Sequence, residues 1–269
     1  MEIDCKIEQI TKRTAIGTSL VDNKDKQANM GIIEFDDYLV LIDPSPDERT
    51  AIKMKALIDE KYKKPIKYLL VTHYHWDHTF GTPPFKEAII VGSEELGKKM
   101  EHLFANEWKK YKDEIESIAL TFSDKLIIHD SNLSVEFYYC GGGHTKCSSF
   151  AYFPEEKVLL TGDLLFAEIF PWAGDPTTDP DQWMIVYEKM LALDFEHIIP
   201  GHGPVVGRDE IKKHLQFLKD LRDATIEAIK ADAGYENVKR PEFYTGWGEP
   251  SNSNSVKHIY EFYSKKIKK

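Results

Sequence analysis

Four side chains able to ligate a metal fall within six residues, in Thr72-His73-Tyr74-His75-Trp76-Asp77-His78. The run directly follows an apolar stretch, 66–72, that reads as a buried strand. In an extended segment His73 and His75 project to the same side, because successive side chains alternate. A turn after His75 lets Asp77 and His78 address a second point nearby, so that one loop feeds two metals. Imidazole suits zinc, iron and related borderline ions, and a carboxylate adds a hard oxygen ligand. The competing interpretation is a surface loop that happens to be rich in histidine. The strand immediately before the run argues against it.

Three further candidates share one grammar, an apolar strand and then a glycine-flanked ligand. His144 sits in Gly141-Gly142-Gly143-His144-Thr145, Asp163 follows Val158-Leu159-Leu160-Thr161-Gly162, and His202 lies in Pro200-Gly201-His202-Gly203-Pro204. Glycine lets backbone approach a site closely. Each of the three is weak alone, since a lone histidine in a turn is usually a packing or capping residue. Together they place five histidines and two aspartates at strand ends, where sites in layered α/β architectures gather. His102, His129, His197, His214 and His258 lack this setting and read as structural or exposed.

The elements that must position these residues alternate between strand and helix. Strands are expected near residues 3–7, 29–35, 38–42, 66–72, 126–128, 133–140, 149–153 and 158–161. Helical spacing of Met54, Leu57, Ile58 and Tyr62 precedes Pro65, and Trp183, Val186, Tyr187, Met190 and Leu191 mark another helix. Residues 94–116 read as one helix with Leu96, Met100, Leu103, Phe104, Trp108, Tyr111 and Ile115 on one face. A long helix follows at 211–229, residues 244–255 read as a loop, and a short helix with a basic end closes the chain. No repeat or linker divides it. The expectation is one domain over 1–269, with a helical insertion at about 94–116 and a C-terminal helical extension at about 209–269.

Composition narrows the function classes. Apolar residues at 42% and charged residues at 30% suit a globular chain rather than a disordered one. No apolar run is long enough to span a bilayer. The N-terminus lacks a basic segment leading into an apolar stretch, so the expected location is cytoplasmic. A net charge of −10 opposes general affinity for nucleic acid. Cys5, Cys140 and Cys147 are too few and scattered for a disulfide framework and read as small buried hydrophobes, with Cys147 kept as a candidate neighbour of the site.

The motifs HYHWDH (73–78), GGGHT (141–145), TGD (161–163) and PGHG (200–203), preceded by LIDP (41–44), resemble the metallo-β-lactamase superfamily from about residue 30 to about residue 207. The resemblance implies an α/β fold of four layers, an αβ/βα sandwich with its metal site at one edge of the two sheets. It implies that His73, His75 and His144 bind a first metal, that Asp77, His78 and His202 bind a second, and that Asp163 bridges both. Asp43 matches an aspartate that supports the ligand loop without ligating. Two divalent ions, zinc first and iron or manganese as alternatives, would then hold a bridging hydroxide that attacks an electrophilic carbonyl. Asp77 is the expected proton shuttle, through its non-ligating oxygen.

Asp163 separates the chain from the true zinc β-lactamases, which lack the bridging aspartate at this position. The spacing resembles thioesterase, lactonase and related hydrolase branches. Quorum-quenching lactonases carry a tyrosine where Phe166 stands, and the glutathione pattern of glyoxalase-II-like enzymes and the extra histidine motif of ribonuclease-Z-like enzymes are not evident. The stretch 161–176 with Asp181-Gln182-Trp183 is similar to a broad hydrolase group related to sulfur-oxidation and quinoprotein-linked members. The expected reaction is hydrolysis of an ester, lactone or thioester of a small molecule. The alternatives are a mononuclear iron enzyme resembling the persulfide dioxygenases, or a promiscuous member with β-lactamase or phosphodiesterase activity. Phe80, Trp108, Phe166, Phe170 and Trp172 are the candidate pocket residues, with the 94–116 helix closing over the site. Tyr244 and Trp247 read either as pocket walls or as packing for a homodimer partner, and both readings stay open.

Overall fold

The computed structural model describes residues 3–21, 28–112, 114–241 and 253–268. Its first half is a seven-stranded sheet in sequence order: β1 (Ile3–Gln9), β2 (Thr14–Val21), β3 (Met30–Glu34), β4 (Leu39–Ile42), β5 (Ile66–Leu70), β6 (Ile89–Ser93) and β7 (Leu120–Phe122). The first four strands pair antiparallel and the rest parallel. Parallel pairing requires crossovers. Helix α1 (Glu48–Tyr62) connects β4 to β5, and α2 (Glu94–Ala105) lies between β6 and β7.

A second sheet of five strands has the order β12-β11-β10-β9-β8. It contains β8 (Lys125–Asp130), β9 (Leu133–Tyr139), β10 (Ser149–Phe153), β11 (Val158–Leu160) and β12 (His197–Ile199). Only β11 and β12 pair in parallel, and α3 (Pro180–Leu191) is the crossover between them. Helices α4 (Arg208–Lys230) and α5 (Ser253–Ile267) follow.

Side-chain alternation explains the layering. In β4, Leu39 and Leu41 join Met54 and Ile58 of α1 in one core, whereas Val40 and Ile42 join a second core. In β10, Ala151 and Phe153 enter that same second core, and Phe150 and Tyr152 pack with Trp183, Tyr187, Phe217 and Ile259 in a third. The second core therefore lies between the two sheets, and the other two lie beneath helices on their outer faces. Four layers result, helix, sheet, sheet and helix, as the resemblance implied.

Local chemistry sets the helix boundaries. Asp47 caps α1 by accepting from Thr50 N at 2.9 Å, and Ser93 caps α2 by accepting from Leu96 N at 3.1 Å. The helix expected over 94–116 stops at Ala105. Asn106 leaves helical geometry (φ −124°, ψ −98°), and its amide donates to His102 O at 2.8 Å, closing the last turn. Trp108 and Tyr111 keep the apolar spacing but lie in and beside a short 3-10 turn packed on Phe80. Strands β2, β6 and β7 were not foreseen. Helix α5 begins three residues before the position expected, inside the stretch read as a loop, and the rest of that stretch lies outside the described residues. Among the described residues no helix is long and apolar enough to cross a membrane.

Candidate metal centre

The chain leaves β5 in extended geometry, with Thr72 N donating to Asp43 Oδ1 at 2.8 Å, and runs straight into His73. A 3-10 turn, Trp76–His78, then breaks the alternation, and His78 N donates to His75 O at 3.0 Å. His73 and His75 stay on one side of that break while Asp77 and His78 swing to the other. Loops at the ends of β9, β11 and β12 deliver His144, Asp163 and His202 to the same place. Two glycines make the convergence possible. A Cβ on Gly201 would lie 2.1 Å from Asp163 Oδ1, and one on Gly162, at φ +50°, would lie 2.3 Å from Thr72 Oγ1.

The ligand atoms fall into two groups. His75 Nδ1 lies 3.0 Å from His73 Nε2 and 3.0 Å from His144 Nε2. His202 Nε2 lies 3.3 Å from Asp77 Oδ2, and His78 Nε2 lies 3.7 Å from the same oxygen. Asp163 belongs to both. Its Oδ2 is 3.7 Å from His73 Nε2 and 3.5 Å from His144 Nε2, while its Oδ1 is 3.0 Å from His78 Nε2 and 3.2 Å from His202 Nε2.

These residues fit divalent cations better than they fit one another. His78 Nε2 and Asp163 Oδ1 are buried and close, yet neither has a hydrogen-bonded partner, so both are aimed elsewhere. Burial, with neighbouring imidazoles, drives the pKa of His73 well below the usual range, and burial takes His144 down to about 3. Both rings are thus neutral, with lone pairs available. Burial opposes ionisation of Asp163, but His202 and His78 outweigh it and hold the carboxyl well below its ordinary value. Conversely, burial lowers His202 less than Asp163 and Asp77 raise it, leaving it at about 9. Cation binding would displace the proton on such a ring. Mixed nitrogen and oxygen sets of this size suit zinc and similar ions.

Each histidine of the ligand loop is held by its second ring nitrogen, as is His144. His73 Nδ1 donates to Thr72 Oγ1 at 3.0 Å, and that hydroxyl donates to Asp43 Oδ2 at 2.8 Å. His78 Nδ1 also donates to Asp43 Oδ2 at 2.8 Å. Asp43 touches no other ligand and adopts φ +58°, a left-handed backbone that non-glycine residues seldom take. His75 Nε2 donates to Asp175 Oδ2 at 3.1 Å, and His144 Nδ1 donates to Trp172 O at 2.9 Å. The Tyr74 hydroxyl also donates to Asp175, and Thr177 N donates to its other oxygen at 2.7 Å. Sequence reasoning missed Asp175. Its only signal was a place between Gly174 and Pro176, in a stretch already rich in motifs.

A cleft of about 260 Å³ opens onto the two groups, lined by His75, Trp76, Asp77, Asp163, Phe166, Trp172 and His202. The Phe166 ring stacks on His202 at 5.4 Å, and the Trp172 ring meets His75 edge-on at 5.2 Å. The other pocket candidates do not line it. Phe80 packs on Trp108 at 5.0 Å, Trp108 continues to Tyr74 and Phe104, and Phe170 packs on Phe217 in the helix-covered core. With α2 ending early, Trp108 braces the back of the ligand loop instead of covering its mouth. Trp76, not among the candidate pocket residues, is at the mouth of the cleft and 55% exposed. The buried Cys147 thiol is pushed up to about 11 by burial and lies 3.4 Å from Thr145 Oγ1, with no contact to a ligand atom. Tyr244 and Trp247 lie outside the described residues.

Comparison with known proteins matches residues 23–202, more than half of the chain, to the family described as "Metallo-beta-lactamase superfamily". A metallo-beta-lactamase type 2 of Bacillus cereus is 25% identical over 224 residues, covering 79% of this chain and 82% of its own. A hydroxyacylglutathione hydrolase of Pelagibacter ubique is 32% identical over 127 residues, 47% of this chain and 46% of that protein. Among solved structures, a metallo-beta-lactamase from Pontibacter korlensis superposes with a TM-score of 0.69 at 20% identity, covering 81% of this chain and all of the other.

Proposed function

Because the chain belongs to the metallo-beta-lactamase superfamily, we propose that it is a divalent-cation-dependent hydrolase that cleaves an ester, lactone or thioester bond in a small molecule. The observation that carries this reading is Asp163, which offers one carboxylate oxygen to each of two ligand groups. His73, His75 and His144 would hold one cation, Asp77, His78 and His202 a second, and Asp163 both. Zinc is the first candidate, with iron or manganese next. When bound, such ions polarise a carbonyl and bring the pKa of water from about 16 towards about 7.

The rest of the chemistry falls to the chain itself. Water activated at the cations would be the nucleophile, since the described lining offers no serine or cysteine. Burial resists the charge on Asp77, yet His78 and His202 keep its carboxyl below the ordinary range. With Oδ2 turned to those rings, Oδ1 is the oxygen that takes the proton of the attacking water and returns it to the leaving group. Phe166 and Trp172 wall the reacting centre against bulk solvent. We take the chain to work as one domain in the cytoplasm on a small-molecule substrate.

The test is a reconstitution screen. Zinc-loaded protein is offered lactones, thioesters, esters, β-lactams and phosphodiesters, alongside elemental analysis. Two metals per chain and chelator-sensitive turnover of a carbonyl substrate, lost in Asp163→Ala, are expected. Activity confined to phosphodiesters would remove the ester-like assignment and leave the metal site standing. One iron per chain with oxygen uptake would replace it by a dioxygenase.

A further inference from the structure

Seven described residues line the cleft, and they divide cleanly by role. His75, Asp77, Asp163 and His202 belong to the ligand groups, so their polar atoms are committed to cations. The other three are Trp76, Phe166 and Trp172. Among the described lining residues, contacts beyond the scissile bond therefore come from three aromatic rings, two of them indoles that also carry an N–H donor.

Trp76 is the telling member. It stands between two ligand-group residues, its neighbour His78 is fully buried, and yet its indole is 55% exposed, the largest value among the exposed large hydrophobic residues. Among the described residues its ring is absent from the three buried cores and from the ring contacts of the surrounding side chains. Trp172 is turned towards the cleft by the same loop whose carbonyl orients His144. Indole faces favour flat rings over saturated groups of equal size, because stacking adds to the area term.

We propose that the substrate carries an aromatic group beside its scissile bond, seated between Trp76 and Trp172 over Phe166. This rests on the hydrolase reading and narrows its substrate class. The small volume of the cleft suits one ring-bearing acyl group, not a polymer.

Two methyl esters of matched length test it on the zinc-loaded protein: methyl phenylacetate and methyl cyclohexylacetate. The kcat/KM for methyl phenylacetate should exceed that of methyl cyclohexylacetate by about fivefold to tenfold. Trp76→Ala should bring the phenyl-to-cyclohexyl ratio close to one, and Trp76→Phe should keep most of it. Methyl cyclohexylacetate hydrolysed as well as methyl phenylacetate overturns the proposal, as does a ratio that Trp76→Ala leaves unchanged. If neither ester is turned over, the lactone and thioester arms of the screen above decide the hydrolase reading separately. Calorimetric binding of phenylacetamide against cyclohexylacetamide then decides the cleft assignment: tighter binding of the aromatic amide upholds it, and equal or absent binding ends it.

Discussion

Asp175 shows how much of a metal centre lies outside its ligands. Its carboxylate fixes the tautomer and tilt of His75, and Thr177 and Tyr74 hold it in turn. Burial opposes its charge, but hydrogen bonds from His75, Thr177 and Tyr74 keep it ionised well below the ordinary carboxylate range. A charged acceptor behind an imidazole raises the basicity of its other nitrogen. Asp175→Asn keeps the size and removes the charge. Zinc affinity at the group containing His75 should fall about 10- to 100-fold, read by competition with a chromophoric chelator. Circular dichroism should stay unchanged. Undiminished affinity would mean that His75 needs no such support. The sequence could not have supplied this residue, because 100 positions separate it from its partner and only one ordinary Gly-Asp-Pro turn marks it.

Elements, more than single residues, decide which loop reaches the site. β9, β11 and β12 each lead into a ligand-bearing turn, which is why an apolar strand followed by glycine was a readable sign. The 3-10 turn at Trp76–His78 was legible too, since two ligand pairs in one short loop can face two points only if the alternation breaks. Helix α5 was legible as a helix but not as a support. Its buried Ser255 accepts a hydrogen bond from Ala173 N at 3.0 Å, and Val256, Ile259 and Tyr263 pack in the core beneath. The residue before Ala173 is Trp172, whose carbonyl orients His144. Ser255→Ala should cost about 1 kcal/mol of stability. It should also weaken the His144 group for zinc several-fold relative to the Asp77 group, measured by stepwise calorimetric titration. An equal loss at both groups would point to general softening in place of a link from α5.

At the scale of the molecule, the ligands come from both sheets. Residues 73–78 leave the seven-stranded sheet, whereas His144, Asp163 and His202 leave the five-stranded one, so cations held by both groups would tie the two halves together across their shared core. Ligands that bind only the folded state stabilise it by mass action, by about 2.7 kcal/mol at 100 times Kd for each site. Saturating zinc should therefore raise Tm by roughly 5–10 °C per site, a chelator should reverse the gain, and a melting curve indifferent to zinc would deny the cross-link. Ligand types, their order along the chain and the strands that carry them were all determined by the sequence, because backbone periodicity and glycine placement are local properties. Which apolar faces meet is not local. The same spacing put Phe166 and Trp172 at the cleft, sent Phe80, Trp108 and Phe170 into packing, and left Trp76 in solvent. The division of Asp163 between two histidine groups likewise appears only when the sheets close on each other, since a carboxylate's two oxygens gain separate partners from neighbours in space and not in sequence.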